Sequence, residues 1–160
     1  MRLYLLLVML LPVSIQASTI EEQAKTLIDR LDAAQKAKDA DAMGRLLSDD
    51  CVVIMTDPSG GARAVRFFPK QAFLEAFKKR IASIATSSGS STIQSVSSSP
   101  SGEVFVARDT ESRSRVGSAV DWVRAREYFI LRPIGDQLKI RLVVTEAVFY
   151  FPEVPPEPPK

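Results

Sequence analysis

DWVRAREYFILRPIGDQLKIRLVVTEAVFYF, residues 121–151, is the stretch that decides the fold. In an extended chain successive side chains point to opposite faces, so residues two apart share a side. Val123, Ala125, Glu127, Phe129 and Leu131 share one side of the first run, and Leu138, Ile140, Leu142, Val144, Glu146 and Val148 share one side of the second. Each set is apolar but for a single glutamate. The runs join at Arg132 to Gln137, and a turn that sets Leu131 opposite Leu138 puts Phe129 across from Ile140, Glu127 from Leu142, Ala125 from Val144 and Val123 from Glu146. All the apolar positions then fall on one side of an antiparallel ribbon, an arrangement that a one-residue slip would scatter. The other side carries Trp122, Arg124, Arg126, Tyr128 and Arg132 beside Lys139, Arg141 and Thr145, a basic and aromatic face suited to water or a partner.

The upstream chain reads as cover for the apolar side of this ribbon. Thr19-Ile20-Glu21-Glu22 is a capping box, and Ile20, Ala24, Leu27, Ile28, Leu31 and Ala34 follow at helical spacing. Lys25, Asp29, Arg30, Asp32, Lys36 and Lys38 make the solvated face of that helix. A short second helix starts near Asp39 or Asp41 and ends around Leu46-Leu47, and a strand follows from Cys51 to Thr56. Asp57-Pro58-Ser59-Gly60-Gly61 is turn chemistry leading to a partner strand, Ala62 to Phe68. Pro69 suits a first helical position, and Phe73, Leu74, Phe77, Ile81 and Ile84 mark one face of a third helix, with Lys78-Lys79-Arg80 solvated on the other. Thr86 to Thr92 is nearly all serine, threonine and glycine and reads as a flexible connector. Strands from Ile93 to Ser98 and Glu103 to Glu111 precede the ribbon, with a polar loop from Arg113 to Ser118.

The composition bounds the function. With 160 residues, 46% hydrophobic and 25% charged, the chain is one ordinary globular domain. A formal charge of +2 does not argue for nucleic acid. There is no histidine, which removes histidine-dependent triads, HExxH zinc sites and any imidazole base. The lone Cys51 forms no internal disulfide and reads as a small buried hydrophobe. No metal site and no cofactor is expected. Met1-Arg2, the apolar run Leu3 to Val13 and Ser14-Ile15-Gln16-Ala17 fit an export signal, residues 1–17, cleaved after Ala17. That places the mature chain in the periplasm or outside the cell, with no membrane span left. Residues 18–151 then form a single domain, and 152–160 a proline-rich tail, extended or disordered.

The passage Met43 to Val53, the phenylalanine-rich helix after Phe67-Phe68-Pro69, and the closing hairpin through Tyr128, Gly135-Asp136 and Ile140 together resemble the NTF2-like superfamily, which includes SnoaL-like cyclases and ketosteroid isomerases. The resemblance covers Ile20 to Phe151. It implies an α+β cone, three N-terminal helices packed on a curved, mostly antiparallel mixed sheet of about six strands, with an apolar pocket inside. Many such proteins carry a tryptophan after the hairpin glycine and a histidine on the last strand; this chain has Asp136-Gln137-Leu138 and Leu142 to Glu146 there.

In such a fold Glu127, Phe129, Leu142, Val144 and Glu146 are the pocket candidates, and Glu127 and Glu146 the candidate general bases. The expected register sets the two glutamates roughly 13 Å apart, at ~3.3 Å per residue, too far to share a proton. A simpler fate for either is a place at the cone's rim, or neutralisation by an arginine such as Arg108 or Arg113. Asp57 and Asp109 are further carboxylates near strand ends. Trp122, Arg124, Arg126, Tyr128 and Arg141 suit a protein interface with Trp122 and Tyr128 as anchors. A homodimer through this face is one expected partner and a small apolar ligand another, while nucleic acid is not expected. Two classes of function remain: an exported, non-enzymatic binding module, and a small lyase, isomerase or hydrolase acting through a pocket glutamate. The absence of histidine and of any catalytic motif favours the first.

Overall fold

The computed structural model describes residues 19–57, 64–117 and 119–153. The expected export signal, the Pro58 to Gly61 turn and the tail beyond Glu153 lie outside the described residues. The chain runs α1 (Ile20–Lys36), α2 (Ala40–Leu46), β1 (Leu47–Asp57), β2 (Ala64–Pro69), α3 (Lys70–Ser83), β3 (Thr86–Ser98), β4 (Val104–Val116), β5 (Ala119–Ile134) and β6 (Gln137–Glu153).

Local chemistry sets the ends of these elements. Thr19 accepts from the Glu22 backbone N–H at 3.2 Å while the Glu22 carboxylate accepts from the Thr19 N–H at 2.8 Å, the reciprocal box that starts α1. Asp39 caps α2 through the Ala42 N–H at 2.8 Å. Gly135 takes a φ of +62° in the two-residue turn between β5 and β6, where a side chain would be strained.

The six strands form one sheet in the order β2-β1-β6-β5-β4-β3, antiparallel throughout except for the parallel β1/β6 pair. All three helices belong to the inner face, and α3 follows the first strand pair. Residues paired across the ladders form rows over this face. Leu47, Ile140, Leu131 and Val104 make one row, and Phe68, Val53, Val143, Phe129, Val106 and Val96 the next. Ala24, Leu27, Ile28, Leu31 and Ala34 of α1 and Met43 and Leu46 of α2 close over them, giving one continuous core.

The polar loop expected from Arg113 is strand as far as Val116, paired with Trp122 to Ala119, and three larger expectations change. Thr86 to Thr92 is not a flexible connector, because Thr86 to Thr92 pairs residue by residue with Arg115 to Asp109 and begins a 13-residue edge strand. Its serines lack a hydrophobic pattern, but β4 pairs with the backbone groups that point toward it. β6 also extends to Glu153, with Pro152 opposite Asp121, so the first residues assigned to the tail belong to the sheet.

The third change is the register of the ribbon. The turn occupies only Gly135 and Asp136, so Leu131 faces Ile140 and not Leu138. A bulge then leaves Arg141 without a partner, since Ile130 faces Leu142, and a second leaves Val148 out between Ala147 and Phe149. One extra residue reverses the facing of everything after it. Beyond Arg141, therefore, Val143 and Thr145 turn inward and Leu142, Val144 and Glu146 outward.

Gly89 shows how close β3 and β4 run. A Cβ there would sit 2.6 Å from the Glu111 carbonyl oxygen. A strand-interior Gly→Ala change ordinarily gains about 0.5–1 kcal/mol; Gly89→Ala is expected instead to lose about 1–3 kcal/mol, the cost of overpacking against fixed backbone. Urea unfolding decides, and a gain in stability would refute the close approach.

Candidate functional site

The third row across the inner face is Met55, Thr145, Glu127, Arg108 and Ile93. It is where the apolar core meets charge. Arg108 on β4 is 1% exposed and the largest fully buried side chain among the described residues. Its Nε donates to Glu127 Oε2 at 2.6 Å, and its Nη1 donates to Asp32 Oδ1, reaching from β4 to α1. Its guanidinium also lies 4.9 Å from the centre of the Phe129 ring, a cation–π contact. Ser91 Oγ donates to Asp32 Oδ2 at 2.5 Å and Thr145 Oγ1 to Glu127 Oε1 at 3.5 Å.

The electrostatics follow from this geometry. Burial works against the Arg108 charge, but attraction to Glu127 and Asp32 and their hydrogen bonds outweigh it and hold its pKa above the ordinary arginine value. Among the described residues no buried side-chain polar atom lacks a partner.

Of the five pocket candidates, the structure brings together Glu127 and Phe129 only. Leu142, Val144 and Glu146 lie on the outer face, paired with Ile130, Tyr128 and Arg126. Glu146 is exposed, and the Arg141 bulge is the cause. The pocket row contains Thr145 in its place. Glu127 takes Arg108 as its partner, while Arg113 sits on the outer face beside Trp122.

Asp32 was missed as a solvated residue of α1. It stands four residues after Ile28, which is 1% exposed, and so on the helix face that meets the sheet. That i to i+4 step from a core position was the available signal.

The outer face is less basic than its sequence suggests. Arg124 pairs with Glu111 at 3.3 Å, Arg126 with Asp109 at 2.9 Å, and Arg132 with Asp50 at 3.0 Å; Arg141 reaches Glu103 at 3.3 Å. These carboxylates arrive from β4, from β1 and from the turn before β4. The Arg126 guanidinium is held above its usual pKa chiefly by its hydrogen bond to Asp109. Asp50 is held below the carboxylate range by the Ser48 hydroxyl, with Arg132 and Arg141 adding to it.

Two open clefts lie away from Glu127. One of about 250 Å³ lies between α1 and the hairpin tip, at Thr26, Arg30, Asp136 and Lys139, and one of about 150 Å³ lies at the far end of β3 and β4. Among the described residues no cluster of three metal-binding side chains exists, and no helix is long and apolar enough to cross a membrane.

Two substitutions and one labelling experiment test this account. Arg108→Met strands two carboxylates and is expected to cost about 3–5 kcal/mol in urea unfolding, whereas the triple change Arg108→Met, Asp32→Leu, Glu127→Met recovers most of it. A triple variant no more stable than the single one would refute the arginine as charge balance. Cys51 is 1% exposed and burial pushes its thiol up to about 11. Iodoacetamide at pH 8 should leave Cys51 unmodified in the folded protein and label it fully in urea, and fast labelling of the native chain would contradict its burial. A raised thiol pKa favours the folded state below about pH 9, an advantage lost as pH climbs toward 11.

No family model and no curated protein matches the sequence. Solved structures do resemble the fold. A ketosteroid isomerase-like protein from Erwinia carotovora atroseptica is 16% identical with a TM-score of 0.66, over 81% of this chain and 96% of its own. A hexachlorocyclohexane dehydrochlorinase of type 2 is 9% identical with a TM-score of 0.68, over 82% and 86%. An NTF2-like protein of unknown function from Shewanella baltica is 11% identical with a TM-score of 0.61, over 79% and 91%. Enzymes and proteins without a known role thus share this architecture, and the chain is an α+β protein of the NTF2-like fold.

Proposed function

We propose that the protein is an exported, non-enzymatic binding module that docks a protein partner, first of all a second copy of itself, through the outer face of its sheet. The observation that carries this reading is a band of apolar side chains two rows wide. Phe67, Ile54, Val144 and Tyr128 form one row, and Val52, Leu142, Ile130 and Phe105 the other. Phe67 is 66% exposed and Phe105 42%, with no described element over them.

The band has the layout of an interface, an apolar centre between polar borders. Glu146, Arg126 and Asp109 form one border, and Arg132, Arg141, Asp50 and Glu103 the other. Both borders mix signs, so two copies need not oppose like charges. At ~4.8 Å between strands and ~6.7 Å between rows, five strands by four rows span about 650 Å², near the ~800 Å² per partner of a standard interface. Tyr128, Arg126 and Arg141 of the expected interface belong to this surface, whereas Trp122 and Arg124 stand further along the strands.

The inner face supports the same reading. A general base must release its proton-accepting oxygen to substrate, and Glu127 and Asp32 both spend theirs on Arg108 and a hydroxyl. Export rests on the composition of residues 1–17.

Sedimentation of the mature protein at tens of micromolar tests the interface. A dimer is expected, shifting to monomer in Phe67→Asp and in Tyr128→Ser with the circular dichroism unchanged. A monomeric wild-type protein, or a dimer indifferent to both substitutions, would refute this face as the contact.

A further inference from the structure

At the end where β3 begins and β4 finishes, the outer face of the sheet differs from the apolar band. Arg113 and Arg115 stand two apart on β4, opposite Ser88 and Thr86 of β3 and opposite Trp122 and Val120 of β5. Thr86, Ser88, Arg113, Arg115 and Val120 line the cleft of about 150 Å³, which has room for several water molecules.

Among the described side chains, cations outnumber anions at this corner. The carboxylate paired on this part of the face is Glu111, and both its oxygens are engaged: Oε1 accepts from Trp122 Nε1 at 2.9 Å and Oε2 from Arg124 Nε at 3.3 Å. Arg113 stacks toward the Trp122 ring at 5.9 Å, on which Arg124 also lies at 4.8 Å. Among the described residues neither Arg113 nor Arg115 has a carboxylate within ion-pair distance. The field is felt by Glu111 itself, whose pKa is held below its ordinary value first by the Trp122 hydrogen bond and then by Arg124 and Arg113. Among the described residues the other arginines of this face, Arg124, Arg126, Arg132 and Arg141, each have an acidic neighbour.

From the pairing of these two arginines with two hydroxyls in one cleft, we infer that this end of the sheet binds the tetrahedral oxyanion of a sulfate or phosphate ester. Each guanidinium offers several N–H donors in a fixed plane, and the Thr86 and Ser88 hydroxyls add two rotatable ones. A tetrahedral anion has enough acceptor oxygens to use donors arriving from two strands, more than a carboxylate has. Val120 supplies an apolar wall for the carbon side of the ester. The site is independent of the proposed dimer band, which lies at other rows of the same face.

The chain has a single tryptophan, and it contacts Arg113, so its fluorescence reads the site directly. The mature protein is titrated with inorganic sulfate, inorganic phosphate, glucose 6-sulfate and glucose 6-phosphate, with sodium chloride at matched ionic strength as control. A saturable change with one of the tetrahedral anions and none with chloride is expected. It should weaken at least about tenfold in Arg115→Gln, since a charge-assisted hydrogen bond is worth about 1.5–3 kcal/mol. Tighter binding of the sulfated sugar or of the phosphorylated sugar identifies the source of the anion, and equal binding of ester and inorganic ion assigns the site to the anion alone. The cations stacked on the ring are Arg113 and Arg124, so replacement of Arg115 keeps both of those contacts with the reporter. A response equalled by chloride, or one unchanged in Arg115→Gln, overturns the inference.

Discussion

The structure depends on one buried cation. Arg108 brings a positive charge into the interior at the level where the apolar rows end, and a lone charge there would cost several kcal/mol in lost hydration. Asp32 of α1 and Glu127 of β5 offset that cost from two directions. The cluster thereby ties the first helix to the middle of the sheet, across 76 residues of sequence on one side and 19 on the other. With two carboxylates for one guanidinium it carries a surplus negative charge. The exposure of the parts accommodates this: the Arg108 side chain is 2% exposed, but Asp32 keeps 18% and Glu127 15%. The cation is dry and the anions keep a wet edge, as the charge count requires.

The same cluster occupies the inner face at the level of Glu127. A site that does chemistry on an apolar molecule needs apolar space beside a polar group that is free to act. In the third row of the inner face the Arg108 guanidinium lies against the Phe129 ring, and the polar groups are bonded to one another. The fold that it shares with a dehydrochlorinase therefore says little about activity, because function resides in the site and not in the architecture.

Much of the fold was legible in the sequence because periodicity carries it. The period of α1 predicted Ile20, Ala24, Leu27, Ile28, Leu31 and Ala34 as its core face, and all are buried except Ile20, which is half-buried. The alternation of residues 123–131 put Phe129 and Leu131 inward, where they are 1% and 0% exposed. What alternation cannot show is an inserted residue. Arg141 in the bulge leaves the composition of β6 unchanged, yet it exchanges the roles of Val143 and Val144 and sends Glu146 to the opposite face from Glu127. Alternation carried on from Ile140 sends Leu142 and Val144 inward, so the hydrophobic pattern favoured the register without the extra residue. β3 was illegible for the opposite reason. Its serines carry no pattern, and only the pairing with β4 makes Thr86 to Ser91 a strand.

The two faces of β5 show how one strand serves both needs. Ala125, Glu127, Phe129 and Leu131 go to the interior, and their neighbours Arg124, Arg126, Tyr128 and Ile130 go to the outside. The inward glutamate is matched by a cation from β4 at Arg108, and the outward Arg124 and Arg126 by anions of the same strand, Glu111 and Asp109. β4 thus carries its charges in complementary alternation, positive inward and negative outward, until Arg113 and Arg115 break the pattern. Directly opposite pairs of unlike charge favour one register of two strands, since sliding β4 by two residues would set Glu111 against Arg126 but place Arg113 against Arg124, like against like. The charges on this face therefore help fix the pairing of β4 with β5 where both strands run beyond the apolar core, and the alternation stops where β4 places Arg113 and Arg115 outward in succession.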